Sequence, residues 1–424
     1  MPSRARNLDN MPTRLRFTGW HRAAIGLLLF TAPALRAAET SEVNPTVVAP
    51  SGPARDVFVQ FANALEDLQK HYIDPSKIQT GEHSTTALRE FIRSLDPEAD
   101  LYTADEVSGI DAQVPPDLGD IGVSLAIRKD YPTVITARDN SSAQDTHLFT
   151  GDQIIAIDGQ PLLHARLFDV AHRLQGTPLS TLKLRVLDPV SGETRQVVVE
   201  RMVMRPASGV HLKFLGQGIA YCRVPEFTLP VVESLLAELK KSKLQMAKAL
   251  VLDLRNNPGG GFDTAMVAAR LFLPDKAEIV SLEYGRPEYR TTFVSDGSYK
   301  CTLPLVVLVN EGTAAEAEIF AAALQDHKRA RLIGSRTFGR GLLFGQFPLP
   351  DGSALFIPTA QFIPPSHKPF NSVGVTPDIL VEVPRETERR LETLGFGTFD
   401  WTQDKNEVLE SDLTLARALQ LFAK

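Results

Sequence analysis

The chain has 424 residues, 43% of them apolar and 23% charged, a mixture typical of globular proteins and not of collagen-like, disordered or multi-span membrane proteins. At roughly 150 residues per domain, this length predicts about three modules. The formal charge is −6, and no Lys/Arg block lies beyond the N-terminal region, which argues against a nucleic-acid partner. Two cysteines and nine scattered histidines offer no metal-ligand spacing, so we expect no metal and no cofactor.

The first 37 residues have the pattern of an export signal. They carry six arginines against the single acid Asp9, then an apolar stretch at 23–35 and the small residues Ala37 and Ala38. This order is the plan of a secretory signal peptide, and the apolar stretch is short for a bilayer span. We therefore expect residues 1–37 to be a signal peptide and the protein to be exported, either periplasmic or in the cell envelope. An uncleaved signal segment would be its membrane contact, and Met11 is an alternative start.

Export predicts an oxidising compartment, in which Cys222 and Cys301 could form a disulfide. Both cysteines lie beside strand-like segments. Two separately buried thiols are therefore the favoured alternative.

In the next part of the chain, the spacing of the apolar residues changes once, from helical to strand-like. Helical spacing between about residues 56 and 110 predicts a helical module over 54–112, and the Pro-rich joint Val114-Pro115-Pro116 follows. Strand-like runs at 121–127, 133–136, 153–157, 182–187 and 196–200, with one helix near 167–174, predict a β-rich module over 113–205.

Beyond residue 205, strands and helices alternate. Strands are predicted at 218–224, 250–254 and 305–309, and helices at 231–240, 263–273 and 314–326. This alternation implies helices packed on a mainly parallel sheet, which we place at 206–385. The tail at 386–424 is charged, and the amphipathic spacing of 408–422 predicts one packed terminal helix rather than a membrane helix.

The most informative segment is 251–261, a buried strand followed by Asn-Asn-Pro-Gly-Gly-Gly. Glycines such as Gly259 and Gly260 permit close backbone approach, and the start of a helix leaves N–H groups unpaired. Such a turn can stabilise an oxyanion, although an ordinary strand-to-helix turn uses the same residues.

Several further motifs accompany this turn. They are Ser-Leu-Asp-Pro at 94–97, Ile-Gly-Val at 121–123, Gly-Asp-Gln-Ile-Ile-Ala-Ile-Asp-Gly at 151–159, Val-Val-Leu-Val-Asn-Glu-Gly at 306–312, Ala-Glu-Ile at 317–319, Ala-Leu-Gln-Asp-His at 323–327, Gly-Ser-Arg-Thr-Phe-Gly at 334–339 and Val-Gly-Val-Thr-Pro-Asp at 373–378. In this order the chain resembles the carboxy-terminal processing (tail-specific) serine peptidases from about residue 55 to its end. The resemblance implies a helical N-terminal segment, an inserted β-rich PDZ domain and an α/β core of crotonase-like (ClpP/crotonase) type that cuts peptides near their C-termini.

The resemblance fails at the residues that perform the reaction. The family's nucleophilic serine aligns with Ala315, its lysine base with Arg340, and the glutamine that orients the lysine with Phe344. Glu316 takes the place of the alanine whose N–H completes the oxyanion hole together with the Gly259–Gly260 turn, and its charge would oppose an oxyanion. Gln346 lies two residues past the orienting position, and we do not expect it to substitute.

These replacements have direct chemical consequences. Alanine has no oxygen with which to attack a carbonyl, and arginine stays protonated, so it cannot accept the nucleophile's proton. Rescue by Thr313, two residues before the lost nucleophile, or by His327 and Lys328 is disfavoured, because Thr313 suits a helix cap. Arg340 is expected either to pair with Glu316 or Glu318 or to donate to the carboxylate of a bound peptide.

Peptide binding is the function that these replacements leave intact. In a PDZ domain, the backbone of the loop before the groove strand holds a peptide's C-terminal carboxylate, and Gly119, Asp120, Ile121, Gly122 and Val123 match that loop. Asp120 is either a turn residue or a charge that weakens carboxylate capture.

The leading hypothesis is an exported pseudo-protease that binds peptide or protein C-termini and acts as a regulator or scaffold. An active relative or another envelope protein is a possible partner. The alternative is an active serine-type endopeptidase of this family with non-standard catalytic residues.

Overall fold

The computed structural model describes residues 53–422, except 79, 112–116, 206, 208, 242–243, 245, 286–288 and 298–300. The predicted signal peptide at 1–37 and the Pro-rich joint at 114–116 lie outside the described residues. Within that described part, no helix combines the length and the hydropathy needed to cross a membrane.

The helices, in chain order, are α1 (Pro53–His71), α2 (Thr80–Leu95), α3 (Ala104–Asp111), α4 (Ser142–Asp145), α5 (Leu167–Leu174), α6 (Leu229–Leu239), α7 (Phe262–Arg270), α8 (Glu316–Asp326), α9 (Arg385–Leu394), α10 (Trp401–Ser411) and α11 (Leu413–Phe422), with a 3₁₀ turn at Pro75–Lys77. The strands are β1 (Asp100–Tyr102), β2 (Gly119–Asp120), β3 (Val123–Arg128), β4 (Tyr131–Ala137), β5 (Gln153–Ile157), β6 (Gln160–Pro161), β7 (Thr181–Leu187), β8 (Thr194–Glu200), β9 (Met202–Val203), β10 (Leu212–Phe214), β11 (Ile219–Arg223), β12 (Ala249–Asp253), β13 (Glu278–Tyr284), β14 (Arg290–Val294), β15 (Leu305–Val309), β16 (Ala330–Gly334), β17 (Leu342–Pro348), β18 (Ala354–Ile363) and β19 (Ile379–Leu380).

The β-rich module is an antiparallel sheet in the order β3-β4-β5-β7-β8, with the short β6 paired to β5. Alternating residues of β7 are buried and exposed, as expected when one face of a sheet covers a core. That core includes Ile121, Val134, Ile154 and Val170, the last contributed by α5. The two-residue strands β2 and β9 close the module as a separate ladder.

The α/β part has a six-stranded sheet in the order β10-β11-β12-β15-β16-β19. Its strands from β11 onward are parallel, as the alternating pattern predicts. All five residues of β15 are buried, because α6, α7 and α8 cover one face and α11 packs on the other. Cys222 and Cys301 are buried with free thiols, so the disulfide does not form.

A second sheet, antiparallel, consists of β1, β13, β14, β17 and β18, and the sequence patterns did not predict it. Its strand β1 comes from the segment expected to be helical, and Asp100 to Tyr102 pair with Phe356 to Ala354 of β18. Three buried residues are too short a run to give a recognisable period. The helical segment is therefore joined to the α/β part by backbone pairing.

The predicted packed terminal helix is present, with Leu415 and Ala418 buried, but the amphipathic stretch of 408–422 is not one continuous helix. The structure breaks it at Asp412 into α10 and α11. Asp412 accepts a hydrogen bond from the N–H of Leu415 at 2.9 Å, which caps the second helix. Its two carboxylate oxygens each lie 2.8 Å from Arg255, so the break carries a buried acid to the end of β12.

Candidate functional site

The glycine turn after β12 is tightly fixed. The side chain of Asn257 donates to the carbonyl of Val224 and accepts from the N–H of Gly259, both at 2.9 Å. Gly260 has φ of 147°, and a Cβ there would lie 2.4 Å from the carbonyl oxygen of Phe227. Only glycine fits this position, and the turn directs the N–H of Gly260 toward the start of α8.

Ala315 lies just before α8 in an unusual backbone conformation, with φ of 51° and ψ of −117°. A positive φ costs an alanine on the order of 1–3 kcal/mol and persists only where surrounding contacts impose it. Here the N–H of Ala315 donates to Oε2 of Glu318 at 2.9 Å. The residue is only 1% exposed, so the position predicted for the nucleophile lies on a strained and buried turn.

Glu316 places its carboxyl group on the glycine turn. Its Oε2 accepts from the N–H of Gly260 at 3.0 Å, while its buried Oε1 has no hydrogen-bond partner among the described residues. Burial raises the pKa of Glu316 to about 8, so the group is mostly protonated at neutral pH. The expected negative charge is therefore corrected to a neutral acid that occupies the turn's backbone donor.

Glu318, one of two alternative partners expected for Arg340, instead connects two loops of the site. Beyond Ala315, it accepts from the N–H groups of Gly339 and Arg340 at 2.8 Å each and from the hydroxyl of Thr337. Burial raises its pKa to about 7, against the lowering effect of these donors. One carboxyl group thus fixes the Ala315 turn against the loop of 335–341.

The guanidinium group of Arg340 does not pair with Glu316 or Glu318 as expected. Its Nη1 donates to the carbonyl of Leu125 at 3.0 Å, and its Nη2 donates to Oε2 of Glu98 at 3.1 Å. The group therefore points toward the β-rich module, and only the backbone N–H of Arg340 reaches Glu318.

Phe344, at the orienting position, lies on β17 opposite Pro358 of β18, directly after a register shift at Leu343. Gln346 lies opposite Phe356 on the same strand. Both are partly buried. The antiparallel sheet thus positions these two residues.

The side chain of Thr313 makes structural hydrogen bonds. Its hydroxyl is buried, donates to the carbonyl of Leu254 at 2.8 Å and accepts from the N–H of Asn310 at 3.1 Å. His327 follows the far end of α8, where Nε2 lies 2.7 Å from the carbonyl of Glu278, and Lys328 comes next. These three residues do not converge on Ala315. Across the described ranges, no group of His, Cys, Asp and Glu is placed to hold a metal ion.

The β-rich module covers the site turn. Ala126 and Ile135 pack with Ala314 and Phe338 in one buried cluster. The guanidinium carbon of Arg128 lies 4.7 Å from the centre of the Phe338 ring, a cation–π contact. Two ion pairs at 2.8–2.9 Å, Arg223–Asp139 and Arg138–Glu226, add to this interface.

The predicted peptide-binding loop is largely occupied by its own contacts. Gly119 donates to the carbonyl of Gly176 at 2.8 Å, and Oδ1 of Asp120 accepts from the N–H of Gly122 at 2.7 Å. Burial raises the pKa of Asp120. Ile121 is fully buried and Val123 begins β3, so the N–H groups of Gly119 and Gly122 are both bonded within the module.

Comparisons with known proteins give the family. Residues 218–381 match Peptidase family S41. The "Carboxyl-terminal-processing protease" of Synechocystis sp. is 30% identical over 313 residues, covering 72% of this chain and 73% of the relative. The chain belongs to the carboxyl-terminal-processing proteases of family S41. The Picosynechococcus sp. protein of the same name is 31% identical over 309 residues, covering 72% of this chain and 74% of the relative.

A solved structure supports the same fold for this family member. The photosystem II D1 C-terminal processing protease superposes with a TM-score of 0.67 and 23% identity, covering 79% of this chain and 97% of that one. The resemblance to carboxy-terminal processing peptidases and the mixed α/β architecture are thereby confirmed.

Sequence reasoning did not identify Glu98 as part of the candidate site of this S41 family member. Glu98 follows the Ser-Leu-Asp-Pro motif, yet it lies 242 positions from Arg340 in the chain. Its place next to a recognised motif was a signal, but the pairing depends on how three parts of the chain pack.

Proposed function

We propose that this protein is an exported, catalytically silent member of the carboxyl-terminal-processing proteases that binds extended peptides or protein C-termini as a regulator or scaffold. One observation carries the proposal: Ala315 stands on the strained turn before α8, and the carboxyl group of Glu316 occupies the N–H of Gly260. The turn geometry is retained without a nucleophile to use it.

Three chemical requirements of a serine–lysine peptidase are unmet. The side chain of Ala315 offers no oxygen, and Arg340 holds its proton too strongly to act as a base. The N–H that would stabilise an oxyanion is already bonded to Glu316. Because each loss is sufficient to slow the reaction, their coincidence supports catalytic silence.

The binding role rests on the β-rich module, which we propose is a PDZ domain inserted before a crotonase-like core. Its edge strand β3 and helix α5 are the elements between which such a domain takes a peptide. The names of the relatives refer to processing at carboxyl termini, which supports C-termini as ligands. The Arg-rich segment at 1–37 supports export to the periplasm or cell envelope, where an active relative is a candidate partner.

The alternative, a peptidase with non-standard residues, would need another nucleophile at the turn. Thr313 is the nearest candidate in sequence, but its hydroxyl donates to Leu254 and is fully buried. Because this hydroxyl is buried and already bonded, a catalytically silent scaffold is favoured over a peptidase that uses Thr313.

Restoring the family residues tests the proposal. The combined variant Ala315→Ser, Glu316→Ala, Arg340→Lys and Phe344→Gln should cleave unfolded casein, with a rate at least about 100-fold above that of the unchanged protein, since base and nucleophile each contribute at least about that factor. The matched control carries the same changes except at Ala315 and should stay inactive. Equal cleavage by the control and the full variant would contradict the proposal.

A further inference from the structure

Among the strands of the described residues, β4 is the sole neighbour of β3 in the sheet of the β-rich module, so the other edge of β3 pairs with no strand there. Ile127 stands opposite Pro132 of β4. The N–H of Ile127 donates to Oε1 of Glu98 at 2.9 Å. The carbonyl of Leu125 accepts from Nη1 of Arg340 at 3.0 Å.

These contacts occupy the positions that an added strand would use. Residues two apart on a strand direct their backbone groups to the same edge, so Leu125 and Ile127 present a carbonyl and an N–H to one incoming peptide. Glu98 supplies the acceptor that a peptide carbonyl would provide. Arg340 supplies the donor that a peptide N–H would provide.

Arg340 and Glu98 are also paired with each other, at 3.1 Å, with side chains only 13% and 16% exposed. The pair joins three parts of the chain: the loop after α2, the strand β3 and the loop before β17. A lysine would place one ammonium where the planar guanidinium of Arg340 contacts Leu125 and Glu98 with two nitrogens. The arginine at the base position therefore has a structural use that a lysine would fill less well.

We propose that Arg340 and Glu98 form a latch that imitates a bound peptide on the edge of β3. An extended peptide segment binds this edge only when the pair separates, its carbonyl replacing Glu98 on Ile127 and its N–H replacing Arg340 on Leu125. The inference rests on the proposed peptide-binding function and names the residues that regulate it. It requires no reaction at Ala315.

Amide hydrogen exchange tests the latch without any ligand. In Arg340→Met, exchange of the 123–128 segment should rise at least tenfold, while exchange of β7 (181–187) stays within twofold of the unchanged protein. The matched control is Arg336→Met, an exposed arginine on the same loop, which should leave both segments unchanged. Exchange of 123–128 that is equal in the two variants overturns the latch. If β7 also exchanges faster in Arg340→Met, the substitution has loosened the whole module. The test is then repeated with Glu98→Gln, which should raise exchange of 123–128 at least tenfold and leave β7 within twofold.

Peptide binding gives an independent measurement. The probe is a fluorescein-labelled octapeptide of alternating Val and Thr with a free carboxylate, which favours an extended chain. Arg340→Met should bind it at least tenfold more tightly than Arg336→Met does, by fluorescence anisotropy, and N-methylation of alternate residues should abolish the gain. Equal or undetectable binding in both variants overturns the proposal. Cleavage of casein by the unchanged protein would instead refute catalytic silence. The hydrogen-exchange result would still test the latch.

Discussion

The carboxyl group of Glu316 is the residue-scale feature that most changes the chemistry expected of the turn. A charged carboxylate would destabilise the buried pocket, but burial raises its pKa to about 8, and the neutral acid still accepts from Gly260. Part of the free-energy cost of burying this carboxyl group remains, because its Oε1 has no hydrogen-bond partner among the described residues. The Glu316 carboxyl group therefore occupies the backbone donor of the glycine turn as a buried acid.

The raised pKa of Glu316 predicts a pH dependence of stability. The folded state favours the protonated form, so this contribution is fully present below the usual carboxyl pKa of 4.5 and is lost as pH rises through about 8. Glu316→Gln should flatten the decline between these values, by up to about 1.4 kcal/mol per pH unit. Urea unfolding at pH values from 5 to 8 measures this change in the free energy of unfolding.

The control for this experiment is Glu311→Gln, an exposed glutamate just before the same turn, whose curve should follow that of the unchanged protein. Glu318 and Glu392, with pKa values raised to about 7, keep a residual decline in every variant. Parallel curves for Glu316→Gln and Glu311→Gln would show that Glu316 is not the titrating group.

The family motifs in the sequence predict Ala315, Arg340 and Phe344 at the nucleophile, base and orienting positions, because their spacing follows those motifs without an insertion. It did not predict the direction of the Arg340 side chain. Glu316 and Glu318 were the local candidates, yet the partners are Glu98 and a backbone carbonyl of β3. A pairing across 242 positions depends on packing between modules, which leaves no local pattern in the sequence.

At the scale of elements, periodicity predicted the long or fully buried strands and helices well. The strand at Leu305–Val309 and the helix at Leu167–Leu174 were found with the predicted bounds. The antiparallel sheet was missed, because the half-exposed β14 and the three-residue β1 carry weak patterns. The break between α10 and α11 was missed because Asp412 continues an amphipathic spacing while its carboxylate serves a distant arginine.

Asp412 therefore predicts a measurable loss of stability. Asp412→Asn removes a charge from the buried pair with Arg255, whose side chain is 1% exposed. Arg255 keeps Asp253 as a second buried carboxylate partner, so the expected loss is that of the charge-assisted contact with Asp412, about 2 kcal/mol. Urea unfolding at pH 7 should show this loss, whereas Glu410→Gln, exposed on α10, should change stability by less than about 0.5 kcal/mol. A loss of similar size in both variants would contradict the role of the Arg255 pair.

At the scale of the whole molecule, the β-rich module lies over the turn before α8, where we place the family's catalytic position. Ala126 and Ile135 pack with Ala314 and Phe338 beside the buried Ala315, and the proposed Arg340–Glu98 latch holds the edge of β3. A protease would have to open this packing to reach its substrate. Under the proposed function, the packing instead covers the peptide-binding edge of β3. Opening would then regulate binding instead of cleavage.

The most direct test of catalytic silence is a time course of unfolded casein with purified residues 38–424, followed by intact-mass spectrometry. A silent scaffold predicts no fragments above those formed by the same preparation of Thr313→Ala. Fragments that appear with the unchanged protein and vanish with Thr313→Ala would contradict it, because activity from a contaminant would survive that substitution.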